Sequence, residues 1–168
     1  PERFFAALEL CKVNGLNFEL HIVGQQFSSS PTVFMDAKET FSENIKEFGY
    51  LESTERYRSL LSEADVVVST ALHEFQGLAL LEATASGAIP LAPNRLAYPE
   101  YCPKSNLYSS FPEDPEKESE VLAAALMNYA LQKSTGNLRK NTVDIRCLSW
   151  SYLREKYRSA IEDYNKDA

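Results

Sequence analysis

The feature that most constrains the fold is Asp65-Val66-Val67-Val68-Ser69-Thr70, a short run that is β-branched through its centre and shows no polar alternation. A strand of that kind is expected to be buried on both faces, the condition of a parallel sheet between two helical layers. A second apolar run, Ala88-Ile89-Pro90-Leu91-Ala92, follows after a segment from about Gly77 to Ser86 that reads as a helix closed by Gly87. Strand, helix, strand at this spacing predicts a right-handed parallel crossover.

The same alternation extends upstream. Pro1 to Val13 sets Phe4, Phe5, Leu8 and Cys11 at helical spacing and stops at Asn14-Gly15. Phe18 to Gly24 reads as a strand, Gln25 to Ser30 as a polar loop, and Ser30-Pro31 as the cap and first turn of a helix toward Phe41. Lys46 to Leu51 is a second strand broken by Gly49, and Ser53 or Thr54 caps a helix that turns Tyr57, Leu60 and Leu61 inward. Asn106 to Ser109 supplies a last short strand. The predicted fold is a doubly wound, Rossmann-like α/β core over about residues 1–110.

Residues 115–168 read as added helices. Pro112 to Pro115 forms an acidic turn, and Val121, Leu122, Ala125, Leu126, Tyr129 and Ala130 share one helical face. Trp150, Leu153, Tyr157, Ile161 and Tyr164 form a second stripe, expected to pack as core, with docking against another domain as the alternative. At 168 residues the chain is read as a single domain, residues 1–168, and its start as the middle of a longer protein.

Charge and cysteine usage narrow the function. A net charge of −7 argues against a domain that grips a phosphate backbone by itself, and no apolar run is long enough to span a bilayer. Cys11, Cys102 and Cys147 are odd in number and widely separated, which predicts reduced thiols in a cytoplasmic protein rather than a disulfide framework or zinc site. No G-x-G-x-x-G follows a strand, which disfavours a dinucleotide-binding dehydrogenase. A signalling receiver is disfavoured too, because Asp65 begins its strand instead of ending it.

Ligands of open α/β sheets collect at the carboxyl ends of the strands. The strand ending at Thr70 leads through His73-Glu74-Phe75-Gln76 to Gly77, where the absent side chain admits a ligand to the backbone. The N–H groups of Gly77, Leu78 and Ala79 are expected to be unpaired and to form an anion site at the helix start. Glu74 and Glu82 can border the same cleft, Glu74 holding a sugar and Glu82 a ribose, although their spacing alone would equally describe a solvated helix. His21 reads as a packed strand residue and His73 as a candidate donor contact.

The run from His73 to Leu91 closely resembles the signature of family-four, GT-B-fold glycosyltransferases: Glu, aromatic, nearby Gly, aliphatic run, Glu-Ala, small-residue turn, then a strand opening with Pro. Ile22-Val23-Gly24 resembles that family's first glycine loop, Gly49-Tyr50-Leu51 its base-binding turn, and the Trp150 helix its closing helix. Gln76 departs from the usual Gly after the aromatic residue. The resemblance implies the carboxy-terminal, nucleotide-sugar-binding half of a GT-B fold, with an amino-terminal acceptor domain outside the chain. It implies retaining transfer without metal or cofactor, Glu74 catalytic, and donor contacts from Gly24, Tyr50, Leu51, His73, Glu74, Phe75, Gln76, Gly77, Leu78, Ala79 and Glu82. For Tyr50 an ordinary strand-end aromatic is an equal reading.

Within the family, Ser69 to Phe75 and Leu96-Ala97-Tyr98-Pro99-Glu100 look most like the group that transfers mannose from GDP-mannose to queuosine in tRNA. That likeness implies GDP-mannose as donor and tRNA as a partner reached through the other half. The alternatives are a UDP- or GDP-sugar enzyme acting on a glycan or lipid, and a non-catalytic α/β binding or signalling module.

Overall fold

A computed structural model describes residues 1–24 and 31–166, with side-chain burial described through residue 162; the predicted loop Gln25 to Ser30 and the Tyr164 side chain lie outside that description. The elements run α1 (Glu2–Val13), β1 (Leu20–Val23), α2 (Val33–Thr40), β2 (Ile45–Gly49), α3 (Thr54–Glu63), β3 (Val66–Val68), α4 (Leu78–Ala85), β4 (Ile89–Pro93), α5 (Tyr98–Tyr101), β5 (Leu107–Tyr108), α6 (Pro115–Ser134) and α7 (Trp150–Lys166). Ser53 caps α3 by accepting the Arg56 N–H at 3.1 Å, and Asp114 caps α6 by accepting the Lys117 N–H at 3.0 Å.

Every strand pairing is parallel. β1 pairs with β2, Leu20 opposite Ile45, and β4 lies between β3 and β5, with Val66 opposite Ile89 and Ala92 opposite Leu107. The strands form two ladders, β1-β2 and β3-β4-β5. The two ladders share side-chain packing: Phe18 and Val66 both pack on the core of Ala7, Cys11, Ile89, Leu91, Tyr108 and Leu122.

Two expectations about burial are corrected. β3 is half-buried along its length, whereas β4 is buried at every residue. A strand bonded on one edge is less covered than one bonded on both. The α7 stripe is not core: Trp150, Tyr157 and Ile161 are 70%, 58% and 62% exposed, and only Leu153 is partly covered. α6, by contrast, lies against α1. Cys11, Cys102 and Cys147 are free thiols, the first two buried. Among the described residues no helix is long and apolar enough to cross a membrane.

Candidate functional site

Because β3 and β4 run parallel, their following loops emerge at the same end. The residues after β3 are clamped there. The Tyr108 hydroxyl donates to the Ser69 carbonyl at 2.8 Å, and the Ser69 Oγ lies 2.6 Å from the Tyr98 hydroxyl while accepting the Ala71 N–H at 3.2 Å. Arg95, just past β4, donates to the carbonyls of Ala71 at 2.9 Å and Thr70 at 3.3 Å. A loop so tied fixes the direction in which residues 73–77 leave the sheet.

Glu74 then turns back on the loop it starts. Its Oε1 accepts the N–H groups of Phe75, Gln76 and Gly77 at 3.0, 3.1 and 2.8 Å. The hydrogen bonds from Gly77 and Gln76 hold its carboxyl below the usual carboxylate range against a small opposing effect of burial, and that from Phe75 adds to them. This corrects the expectation of an unpaired Gly77 N–H. The loop amides do converge on an anion, and the anion is Glu74 itself. Leu78 and Ala79 open α4, where first-turn N–H groups have no intrahelical acceptor.

Gly77 is required by its geometry. It sits at φ +73° as the N-cap of α4, and a Cβ there would stand 2.3 Å from the Tyr101 hydroxyl and 3.2 Å from the Tyr98 ring. The Tyr101 hydroxyl is buried and has no hydrogen-bond partner among the described residues. Burial first, then the neighbouring Cys102, Tyr98 and Glu74, push its pKa up strongly. It is a neutral hydroxyl wedged under the loop.

The other predicted residues divide. Glu82 is exposed on α4 and accepts the Tyr57 hydroxyl of α3 at 3.1 Å, so one carboxylate oxygen is held at the helix flank. Burial, followed by that contact, raises the Tyr57 pKa. His73, Gln76 and Ala79 are exposed, Leu78 is 61% exposed, and Phe75 is 93% exposed, a large apolar surface on the loop. Gly24, Tyr50 and Leu51 follow β1 and β2 at that ladder's carboxyl end. The Gly24 N–H is already donated to the Gly49 carbonyl at 3.1 Å, and Tyr50 is 65% exposed. His21, predicted as packed, is half-buried, and its buried Nδ1 has no hydrogen-bond partner among the described residues.

An ion pair that the sequence does not announce lies beneath this loop. Arg95 donates to Glu118 through Nη1 at 2.6 Å and Nη2 at 2.9 Å, with Nη1 also 3.0 Å from the Ser110 hydroxyl. Glu118 is fully buried at the start of α6 and also accepts the Phe111 N–H at 2.7 Å, with Arg3 Nε of α1 3.4 Å away. Burial pushes its carboxyl up, but Arg95, the Phe111 N–H and Arg3 together hold it below its ordinary value. Arg95 and Glu118 lie 23 positions apart, and no local pattern links them. An open groove of about 450 Å³ between α1 and α6 shares no residue with this loop, and its rim carries Glu2, Glu9, Glu116 and Glu120, which repel phosphate. Among the described residues no group of three or more His, Cys, Asp or Glu side chains is placed to hold a metal ion.

Comparison with known proteins agrees with this architecture. Residues 1–142 match the model of the family described as Glycosyl transferases group 1. The chain is 41% identical over 122 residues, 71% of its own length, to the tRNA-queuosine alpha-mannosyltransferase of Drosophila melanogaster, and spans 30% of that relative. It superposes on a pneumococcal O-GlcNAc transferase, solved in complex with UDP and GlcNAc, with a TM-score of 0.62 over 96% of this chain and 31% of the other, at 18% identity. A parallel α/β fold with a glycine-opened helix after β3, matched from its first residue to residue 142, places this chain in the glycosyl transferase group 1 family.

Proposed function

We propose that this chain is the donor-binding domain of a retaining, metal-independent glycosyltransferase, and that the whole protein transfers mannose from GDP-mannose to queuosine in tRNA. The observation that carries the proposal is the convergence of the Phe75, Gln76 and Gly77 N–H groups on the Glu74 carboxylate at the opening of α4. Three amides fix one oxygen of that carboxylate and leave Oε2 to accept from sugar hydroxyls, while the first-turn N–H groups and dipole of α4 suit the diphosphate of a nucleotide-sugar. The 41% identity to the fruit-fly tRNA-queuosine alpha-mannosyltransferase supports the choice of mannose as the sugar and queuosine in tRNA as the acceptor.

In this reading Glu74 faces the transferred sugar and stabilises positive charge developing at its anomeric carbon. Glu82, steadied by Tyr57, accepts from the ribose hydroxyls. Leu78 and Ala79 N–H groups take the leaving diphosphate, His73, Phe75 and Gln76 line the sugar side, and Gly24, Tyr50 and Leu51 contact the base and phosphates from the other ladder. No cofactor takes part. The acceptor tRNA is held mainly by an amino-terminal domain of the full protein, which acts in the cytoplasm.

Calorimetric titration of the full-length protein with GDP, GDP-mannose, UDP and UDP-glucose tests the proposal. Guanine-selective binding that weakens in Glu82→Ala is the expected result. A preference for uridine nucleotides overturns the donor, and no binding of any of the four overturns the donor-domain reading.

A further inference from the structure

Arg95 is the most fully engaged polar side chain near the candidate site. Its Nε, Nη1 and Nη2 reach five acceptors: the Ala71 carbonyl, the Ser110 hydroxyl, both Glu118 oxygens and the Thr70 carbonyl. A guanidinium has five N–H donors in a fixed plane, so nothing is left for a ligand. It is 10% exposed and its partner Glu118 is 0% exposed. The next residue, Leu96, holds φ +56°, a backbone state that an L side chain adopts at a cost and that persists where surrounding contacts enforce it. Leu96 lies in the chain between Arg95, with its five acceptors, and α5, whose Tyr98 is buried.

The two loop carbonyls that Arg95 grips lie three and four residues before Glu74. Upstream, Ser69 is held by Tyr98 and Tyr108; downstream, Glu74 folds onto the amides of residues 75–77. Arg95 therefore holds the middle of a segment whose far end is the proposed donor loop. Glu118 in turn ties Arg95 to the α6 start, and Arg3 ties the pair to α1.

We propose that Arg95 is a positioning residue for the transfer reaction: anchored by Glu118, it sets the placement of the Glu74 carboxylate through the Thr70 and Ala71 carbonyls. The proposal rests on the donor-site reading above for its catalytic consequence, but its structural part does not. Lysine separates positioning from mere charge balance. It can still pair with Glu118 as a point charge, but it has no planar fork to reach both carbonyls.

The test uses the full-length protein and its Arg95→Lys variant, with two readouts. Steady-state kinetics with GDP-mannose are expected to show kcat lowered about 10- to 100-fold with KM within about 3-fold of wild type. Amide hydrogen exchange without any ligand is expected to speed up at Gln76 and Gly77 while α6 stays protected. Wild-type exchange at Gln76 and Gly77 overturns the proposal, and so does an unchanged kcat in an enzyme that transfers mannose. A wild-type protein that transfers no sugar overturns the donor reading instead, and the exchange arm still decides the placement of the loop. If Arg95→Lys does not fold, Glu118→Gln keeps the shape of the site and is judged by the same exchange at Gln76 and Gly77.

Discussion

Gly77 and Tyr101 meet at the tightest point of the candidate site, and both yield predictions. A Gly77→Ala substitution adds a Cβ 2.3 Å from the Tyr101 hydroxyl at a residue with φ +73°. The positive φ alone costs about 1–2 kcal/mol, and the collision adds to it. Thermal or urea denaturation of Gly77→Ala should show that combined loss. Adding Tyr101→Phe should recover the collision, together with whatever Tyr101→Phe gains by itself, and leave the cost of the positive φ. Tyr101→Phe alone should stabilise by about 1 kcal/mol, because a buried hydroxyl without a partner carries its desolvation cost uncompensated. At Glu74 the expected effect is on rate: Glu74→Gln in the full-length protein should lower turnover about 100-fold. Its charge-assisted acceptance from three amides also weakens in the neutral variant. Of these residues, Gly77 was marked in the sequence by a local signal, a glycine before a helical run, whereas Glu74 stood out through its place in the family signature. Tyr101 was marked by neither, because what makes it matter is an approach to Gly77 from a different segment.

At the scale of elements, α6 is fastened to the sheet by a charge pair as well as by apolar packing. Removing one partner of a buried ion pair leaves an uncompensated charge, so Glu118→Ala should cost about 3–5 kcal/mol in urea denaturation. The pH dependence follows from the lowered Glu118 carboxyl. Its pKa is lower folded than unfolded, so its contribution is fully present above the ordinary carboxyl value of 4.5 and fades as pH falls through the lower folded value. Melting temperature should therefore drop on acidification below about 4.5, and drop less steeply in Glu118→Gln. Most element positions followed from local chemistry, such as Ser53 as a cap and Gly87 as a helix stop; Pro115, read as the end of an acidic turn, instead opens α6. The burial of β3 did not follow. A β-branched run fixes strand conformation, but which strand is covered on both edges depends on sheet order, and here that strand is β4.

Across the whole molecule, an acidic domain presents two different faces. One is the loop end of β3 and β4, where the backbone amides of residues 75–77 hold the Glu74 carboxylate in a chain of net charge −7. The other is α7, whose aromatic stripe stands in solvent. Trp150 is the single tryptophan, so its emission in this chain should have the red-shifted maximum of an exposed indole; a blue-shifted maximum would contradict the exposed stripe. The amino-acid sequence by itself determined the alternation of strands and helices, the parallel crossovers, the glycine at the start of α4 and the order Glu74 to Glu82. Each depends on interactions within a few residues: side-chain branching, capping and helical periodicity. The tertiary structure alone decided that Glu74 caps its own loop, that Arg95 and Glu118 brace Thr70 and Ala71, and that the α7 stripe stays uncovered. Those outcomes turn on which distant segments come within hydrogen-bond or packing range, and no spacing along the chain encodes that.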